Sequence, residues 1–127
     1  MNFEWIKMET VLAVHDMQIA EHGGTSGIRD IGLIESALAR PANMMNYVDP
    51  DIVDLAASYA FGLAMNHGFI DGNKRTAYVV TRLFLRLHGM DFTAPPVERV
   101  LAFVQLGKGE FSAASFTLWL RKNVTRI

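Results

Sequence analysis

"HGFIDGNKR", residues 67–75, is the stretch on which the reading of this chain turns. It lies between two strongly apolar segments, 52–65 and 77–87. Within it stand one imidazole, one carboxylate, one carboxamide and two cations, with glycines at 68 and 72. A polar, glycine-bearing connection between two apolar runs of helical length reads as a tight loop joining two buried helices.

The helix before it, 52–66, is apolar nearly all round, through Ile52, Val53, Leu55, Ala56, Ala57, Ala60, Phe61, Leu63 and Ala64. Such a helix is buried on most faces, and Asp51 suits its N-cap. The helix after it runs from Asn73 or Lys74 to His88, with Asn73 as N-cap and Gly89 as the C′ residue. Upstream, residues 8–21 carry apolar positions at Met8, Val11, Leu12 and Ile19, and "HGG" (22–24) stops them. "DIGLIESALAR" (30–40) forms a second helix, capped by Asp30 and ended by Pro41 just beyond it. Residues 42–51 read as irregular and leave room for a small hairpin or flap within 42–50. Downstream, "TAPP" (93–96) breaks the chain and Pro96 opens a fifth helix to about 106. Ser112 or Ser115 caps a sixth that ends near Lys122. No stretch alternates over enough residues to demand a strand. The expected fold is all-α: a single compact helical domain of about six helices covering residues 1–127.

The bulk composition agrees. In 127 residues, half are hydrophobic and a fifth charged, enough for one core without staples. The formal net charge of −1 provides no global field toward nucleic acid or anionic lipid. The absence of cysteine excludes disulfides, thiolate metal sites and cysteine nucleophiles. "MNFEWIKMET" does not read as a signal peptide, and "LAASYAFGLAM" (55–65) is too short to span a bilayer. A soluble, cytoplasmic protein is the expectation.

Gly68 and Gly72 let the central connection turn tightly and approach a ligand. The N-terminus of the following helix is an anion site, and Lys74 and Arg75 add full positive charge there. Cations at that end oppose the helix dipole by ~0.3–1 kcal/mol each, so a purely structural role would favour acidic residues. Asp71 can hold Mg²⁺ together with phosphate oxygens, and His67 is placed to accept a proton from an incoming hydroxyl. Each residue has a bland reading: a capping histidine, a turn aspartate, two solvated cations. One site for phosphoryl or nucleotidyl chemistry explains them together.

These residues resemble the signature of the Fic/Doc family, His-x-Phe-x-[Asp/Glu]-x-Asn-x-Arg, with His67, Phe69, Asp71, Asn73 and Arg75 in register. "VHDMQIAEHGGTSGIRDIGLIESALARP" (14–41) and "NKRTAYVVTRLFLRLHG" (73–89) resemble the Doc branch. Two departures from the adenylylating Fic form are Gly68, where that form has proline, and Lys74, where it has glycine. Lysine there is the feature of Doc toxins, in which ATP binds reversed and its γ-phosphate faces the target hydroxyl. The resemblance implies His67 as general base, Asp71 as Mg²⁺ ligand, and Gly72, Asn73, Lys74 and Arg75 as the phosphate-binding set. It further implies ATP and Mg²⁺ as cofactors, a Ser or Thr hydroxyl of elongation factor Tu as the target, and a small Phd-like antitoxin as restraint. No self-inhibitory [Ser/Thr]-x-x-x-Glu-[Gly/Asn] pattern occurs in the chain. Gly72 resembles the Fic form and keeps AMP transfer open as an alternative. The family's target-docking flap falls at 42–50, where Met44 and Met45 suit either peptide contact or core filling.

Other readings are weaker. "HD" (15–16) suggests an HD-type phosphohydrolase, but no histidine precedes His15, so His15 and Asp16 are expected to support the fold or the site. "GNKRT" lacks the spacing of a Walker A loop. Lys74, Arg75, Arg82 and Arg86 could form a basic face for a nucleic-acid or protein-binding module, a reading with no use for His67 and Asp71.

Overall fold

The computed structural model describes residues 2–127 as six helices and one small sheet. In chain order these are α1 (Met8–His22), α2 (Ile31–Met44), α3 (Ile52–Asn66), α4 (Asn73–Leu87), β1 (Met90–Phe92), α5 (Pro96–Gly107), α6 (Ala113–Lys122) and β2 (Val124–Arg126). The all-α expectation holds.

α3 is the centre. It packs against α2, α4, α5 and α6, and Val53, Leu55, Ala56, Ala57, Tyr59, Ala60, Leu63 and Ala64 are all buried. Small residues let its neighbours close in: a Cβ added at Gly62 would stand 3.0 Å from the Ala37 Cα of α2. Tyr59, the largest fully buried side chain, tilts against Phe84 of α4 at 5.1 Å and accepts the Ile6 N–H at 3.0 Å. The expected cap at Asp51 is present as a capping box: Asp51 accepts from the Asp54 N–H at 2.9 Å and Asp54 accepts from the Asp51 N–H at 3.1 Å. Arg121 of α6 reaches both carboxylates, at 2.6 and 2.7 Å.

Four local expectations are corrected. Pro41 does not lie beyond α2 but inside it, and the helix continues to Met44. Ile34, Ala37 and Pro41 are buried together along one face of that helix. Packing of that face outweighs the ~3 kcal/mol that an interior proline costs an isolated helix. Consequently residues 42–50 hold neither hairpin nor flap strand. After α2 the chain tightens through Asn46 N–H to Asn43 O (3.1 Å) and Tyr47 N–H to Met44 O (3.1 Å), leaving Tyr47 85% exposed. The strands that do occur, β1 and β2, pair antiparallel with Met90 opposite Arg126 and Phe92 opposite Val124. Three residues each are too few to show alternation in sequence. Finally, the N-cap position of α4 is Gly72, which has no side chain to cap it, and not Asn73.

The basic-face reading of α4 loses two of its four cations. Arg82 meets Asp91 through two hydrogen bonds of 3.0 Å and Arg86 adds one of 2.6 Å, so these charges tie α4 to β1. No helix among the described residues is long and apolar enough to cross a membrane.

The bond from Arg82 holds the Asp91 carboxyl down from 3.8 to about 2. A depressed carboxyl stabilises the fold above its unfolded pKa, and that stability is lost as pH falls through the folded value. Asp91→Asn is therefore expected to lower stability by roughly 1–2 kcal/mol near neutral pH. In urea denaturation series the deficit should shrink as pH drops from 3.8 toward about 2. A deficit independent of pH would show that the charge is not its source.

Candidate active site at the α3–α4 connection

α3 ends with His67 in the left-handed region, φ 51° and ψ 48°, the only described non-glycine residue at positive φ. The reversal sends residues 67–72 across the ends of α3 and α4, first inward at Gly68 and Phe69 and then outward at Ile70 and Asp71. His67, Ile70 and Asp71 are exposed, while Phe69 is buried at 3%. Phe69 stacks flat on His15 of α1, ring centroids 3.8 Å apart and planes 7° apart. His15 is itself buried, and its Nε2 lies 2.8 Å from the Asp71 carbonyl oxygen. It supports the site from α1, whereas its neighbour Asp16 is exposed.

The loop between α1 and α2 supplies the rest of the frame. Ile28 and Phe69 form an antiparallel bridge, and the Ile70 N–H donates to Gly27 O at 3.1 Å. Arg29 and Asp30 both donate backbone N–H groups to Gly68 O, at 2.8 and 3.0 Å. Arg75 returns the tie, donating from Nη2 to Gly23 O at 3.0 Å. Gly24 is needed for close approach: at φ 115° a Cβ there would sit 2.6 Å from the Asp71 Oδ2. Gly68 is equally confined, since a Cβ would meet Ile34 at 2.4 Å. In sequence "HGG" reads only as a helix stop. The signal for its second role is the run of glycines at 23, 24 and 27, all at positive φ.

The expected site residues divide by what they do locally. His67, Asp71, Gly72, Asn73, Lys74 and Arg75 all line one cavity of about 510 Å³, with Ile70 and Val104 of α5. The Asn73 carboxamide, however, is turned back into the loop. It accepts the Phe69 N–H at 3.0 Å and donates to the Phe69 carbonyl at 3.0 Å. Only its backbone is left to meet an anion. Lys74 lies along Gly107 of α5, where a Cβ would come within 2.6 Å of the lysine Cε. Asp71 accepts from the Thr25 N–H at 3.2 Å and the Gly72 N–H at 2.8 Å. These donors, Thr25 foremost and then Gly72, hold its carboxyl below the usual range, with Arg75 adding to the effect.

α4 begins with no side-chain cap and no acidic residue in its first turn. The N–H groups of its first residues have no intrahelical acceptor, and the helix dipole adds positive potential where Lys74 and Arg75 stand. The arrangement suits a polyanion such as a nucleotide phosphate. Among the described residues there is no cluster of three or more His, Asp or Glu to hold a metal unaided. Asp71 alone fits a Mg²⁺ that arrives with phosphate oxygens, since that ion takes one or two carboxylates and completes its shell elsewhere.

Comparison with known proteins shows the family. The Fic/DOC family model matches residues 5–85, which include the connection and its frame. The chain is 34% identical over 119 residues to "Protein kinase doc" of Escherichia phage P1, covering 92% of this chain and 93% of that protein. It is 38% identical over 93 residues to "Toxin Doc" of Mycolicibacterium smegmatis, covering 72% and 69% respectively.

The Asn73 bonds give a direct test. Asn73→Ala strands the Phe69 N–H and carbonyl, and is expected to cost about 1–3 kcal/mol. Amide exchange should accelerate at Phe69 and Ile70 before the helices are affected. Unchanged exchange at Phe69 would mean that the carboxamide does not hold the loop.

Proposed function

This chain belongs to the Fic/DOC family, on its Doc branch, and from that premise we propose a toxin that transfers the γ-phosphate of Mg-ATP to a protein hydroxyl. The observation that carries the proposal is the convergence of His67, Asp71, Lys74 and Arg75 with the uncapped start of α4 on one cavity. The whole of residues 1–127 acts as the Doc-like unit. Its target is a Ser or Thr hydroxyl, of elongation factor Tu by the family resemblance, in the cytoplasm. A small Phd-like antitoxin restrains it.

The chemistry follows from the donors. The backbone N–H groups at the start of α4, with Lys74 and Arg75, hold the phosphates and absorb their charge. Gly72 contributes its left-handed backbone, φ 77°, at the N-cap position beside the cavity. His67 accepts the proton of the target hydroxyl as its oxygen forms a bond to the γ-phosphorus. The bond from that phosphorus to the bridging oxygen breaks, and ADP departs. Asp71, kept ionised by its N–H donors, would hold a Mg²⁺ arriving with ATP, and that ion would supply charge neutralisation at the phosphates.

AMP transfer remains the alternative within the family. Gly72 favours it less than the sequence suggests. At φ 77° glycine is required by the backbone itself, so its presence does not speak for either phosphate. Lys74 favours γ-transfer by the family resemblance, and its stem lies along Gly107 beside the cavity. A non-enzymatic binding module has lost its main support, since Arg82 and Arg86 are paired with Asp91.

The test uses ATP labelled separately at the α- and γ-phosphates, added with a cell extract to protein freed of any antitoxin. Label from the γ-position alone is expected. Label from the α-position would replace phosphate transfer by adenylylation, and no label from either would remove catalysis. His67→Ala should lower transfer ~10²–10⁴-fold while shifting Tm by less than about 5 °C. Lys74→Gly should weaken γ-transfer, and an unchanged rate would take Lys74 out of that role.

A further inference from the structure

A single residue outside the signature grips three successive carbonyls around His67. Arg29 Nη2 donates to Asn66 O at 3.2 Å, Arg29 Nε donates to His67 O at 2.7 Å, and the Arg29 backbone N–H donates to Gly68 O at 2.8 Å. Those oxygens are the last of α3 and the first of the reversal, the groups that a helix end leaves without backbone partners. The grip coincides with the one described non-glycine residue at positive φ, His67 itself. A side chain in that region persists only where its surroundings impose it. The other end of the clamp is also fixed, because Asp30 caps α2 through Gly32 and Leu33, and Asn66 Nδ2 donates to Leu33 O at 2.9 Å.

We infer that Arg29 is a positioning residue. By holding the carbonyls of Asn66, His67 and Gly68 it keeps the His67 backbone left-handed, and so aims the imidazole into the cavity. Its planar fork suits this role, because two N–H groups of fixed relative direction meet two successive carbonyls, which a lysine ammonium cannot reproduce. Among the described residues Arg29 makes no hydrogen bond to Gly72, Asn73, Lys74 or Arg75. Its effect therefore falls on turnover and not on nucleotide affinity. The inference rests on His67 being the base, and the experiment separates the two.

Arg29→Ala and Arg29→Lys are compared with the parent protein by three readouts. These are phosphate transfer to purified elongation factor Tu at saturating Mg-ATP, Mg-ATP affinity by calorimetry, and His67 backbone geometry from its amide–Hα coupling and ¹³Cα/¹³Cβ shifts. In both variants kcat should fall by at least about tenfold, with Kd for Mg-ATP within about twofold. In Arg29→Ala the His67 signals should leave the left-handed range. Arg29→Lys keeps a cation at the end of α3 and should recover stability without recovering kcat, which a merely structural role would not predict. If Arg29→Ala does not fold, the lysine variant decides on the same criteria. Retention of left-handed geometry at His67 without the arginine fork overturns the inference, whatever the rate does, as does an unchanged kcat. If the parent protein transfers no phosphate, the proposed function falls. The His67 signals alone then decide whether Arg29 sets its geometry.

Discussion

α3 is enclosed by α2, α4, α5 and α6, and a helix held on so many sides cannot adjust where it ends. Its alanines and Gly62 bring neighbouring backbones close, so small shifts along its axis would meet atoms rather than space. The last turn of α3 therefore delivers His67 to one point. Phe69 returns to the core two residues later and pins the connection again. Around these anchors His67 and Asp71 are left exposed on the cavity, while Asn73 turns back into the loop.

Fixing the connection creates a second demand, because an ordered loop must satisfy its own backbone. The carbonyls of Asn66, His67, Gly68, Phe69, Asp71 and Gly72 all accept hydrogen bonds, from Arg29, Asp30, Asn73, His15 and Thr76. Most of these donors come from α1 and the α1–α2 loop, far away in sequence. The groups at the start of α4 are left differently: N–H donors without acceptors, next to two cations. A site whose framework is satisfied and whose donors are free is organised before a ligand arrives, the condition under which electrostatic catalysis is most effective.

Much of this is legible in the sequence. The bounds of α3 follow from the cap at Asp51, and of the two serines that could open α6 it is Ser112 whose side chain accepts the cap N–H. The polar residues of the connection, His67, Asp71, Asn73, Lys74 and Arg75, also line one cavity. The failures have physical causes. Asn73 reads as a cap because asparagine commonly accepts from the helix ahead, but its carboxamide bonds backward to Phe69. Pro41 reads as a stop because local propensity counts the missing N–H and not the face that Ile34, Ala37 and Pro41 bury together. Arg29 gives no signal at all, and Gly24 only the glycine run around it, since their value lies in contacts from 37 (Arg29 to Asn66) to 47 (Gly24 to Asp71) positions away.

The central claim is that the start of α4 is a preformed phosphate cradle, held still by its frame. An NMR titration of the uniformly ¹⁵N-labelled protein with Mg-ATP tests it most directly. The account predicts that the largest shifts fall on the amides of Gly72, Asn73, Lys74 and Arg75, while Arg29, Asp30 and Ile70 stay where they are. Saturation by ATP with its largest shifts elsewhere, or with the 27–30 segment reorganising, would contradict it.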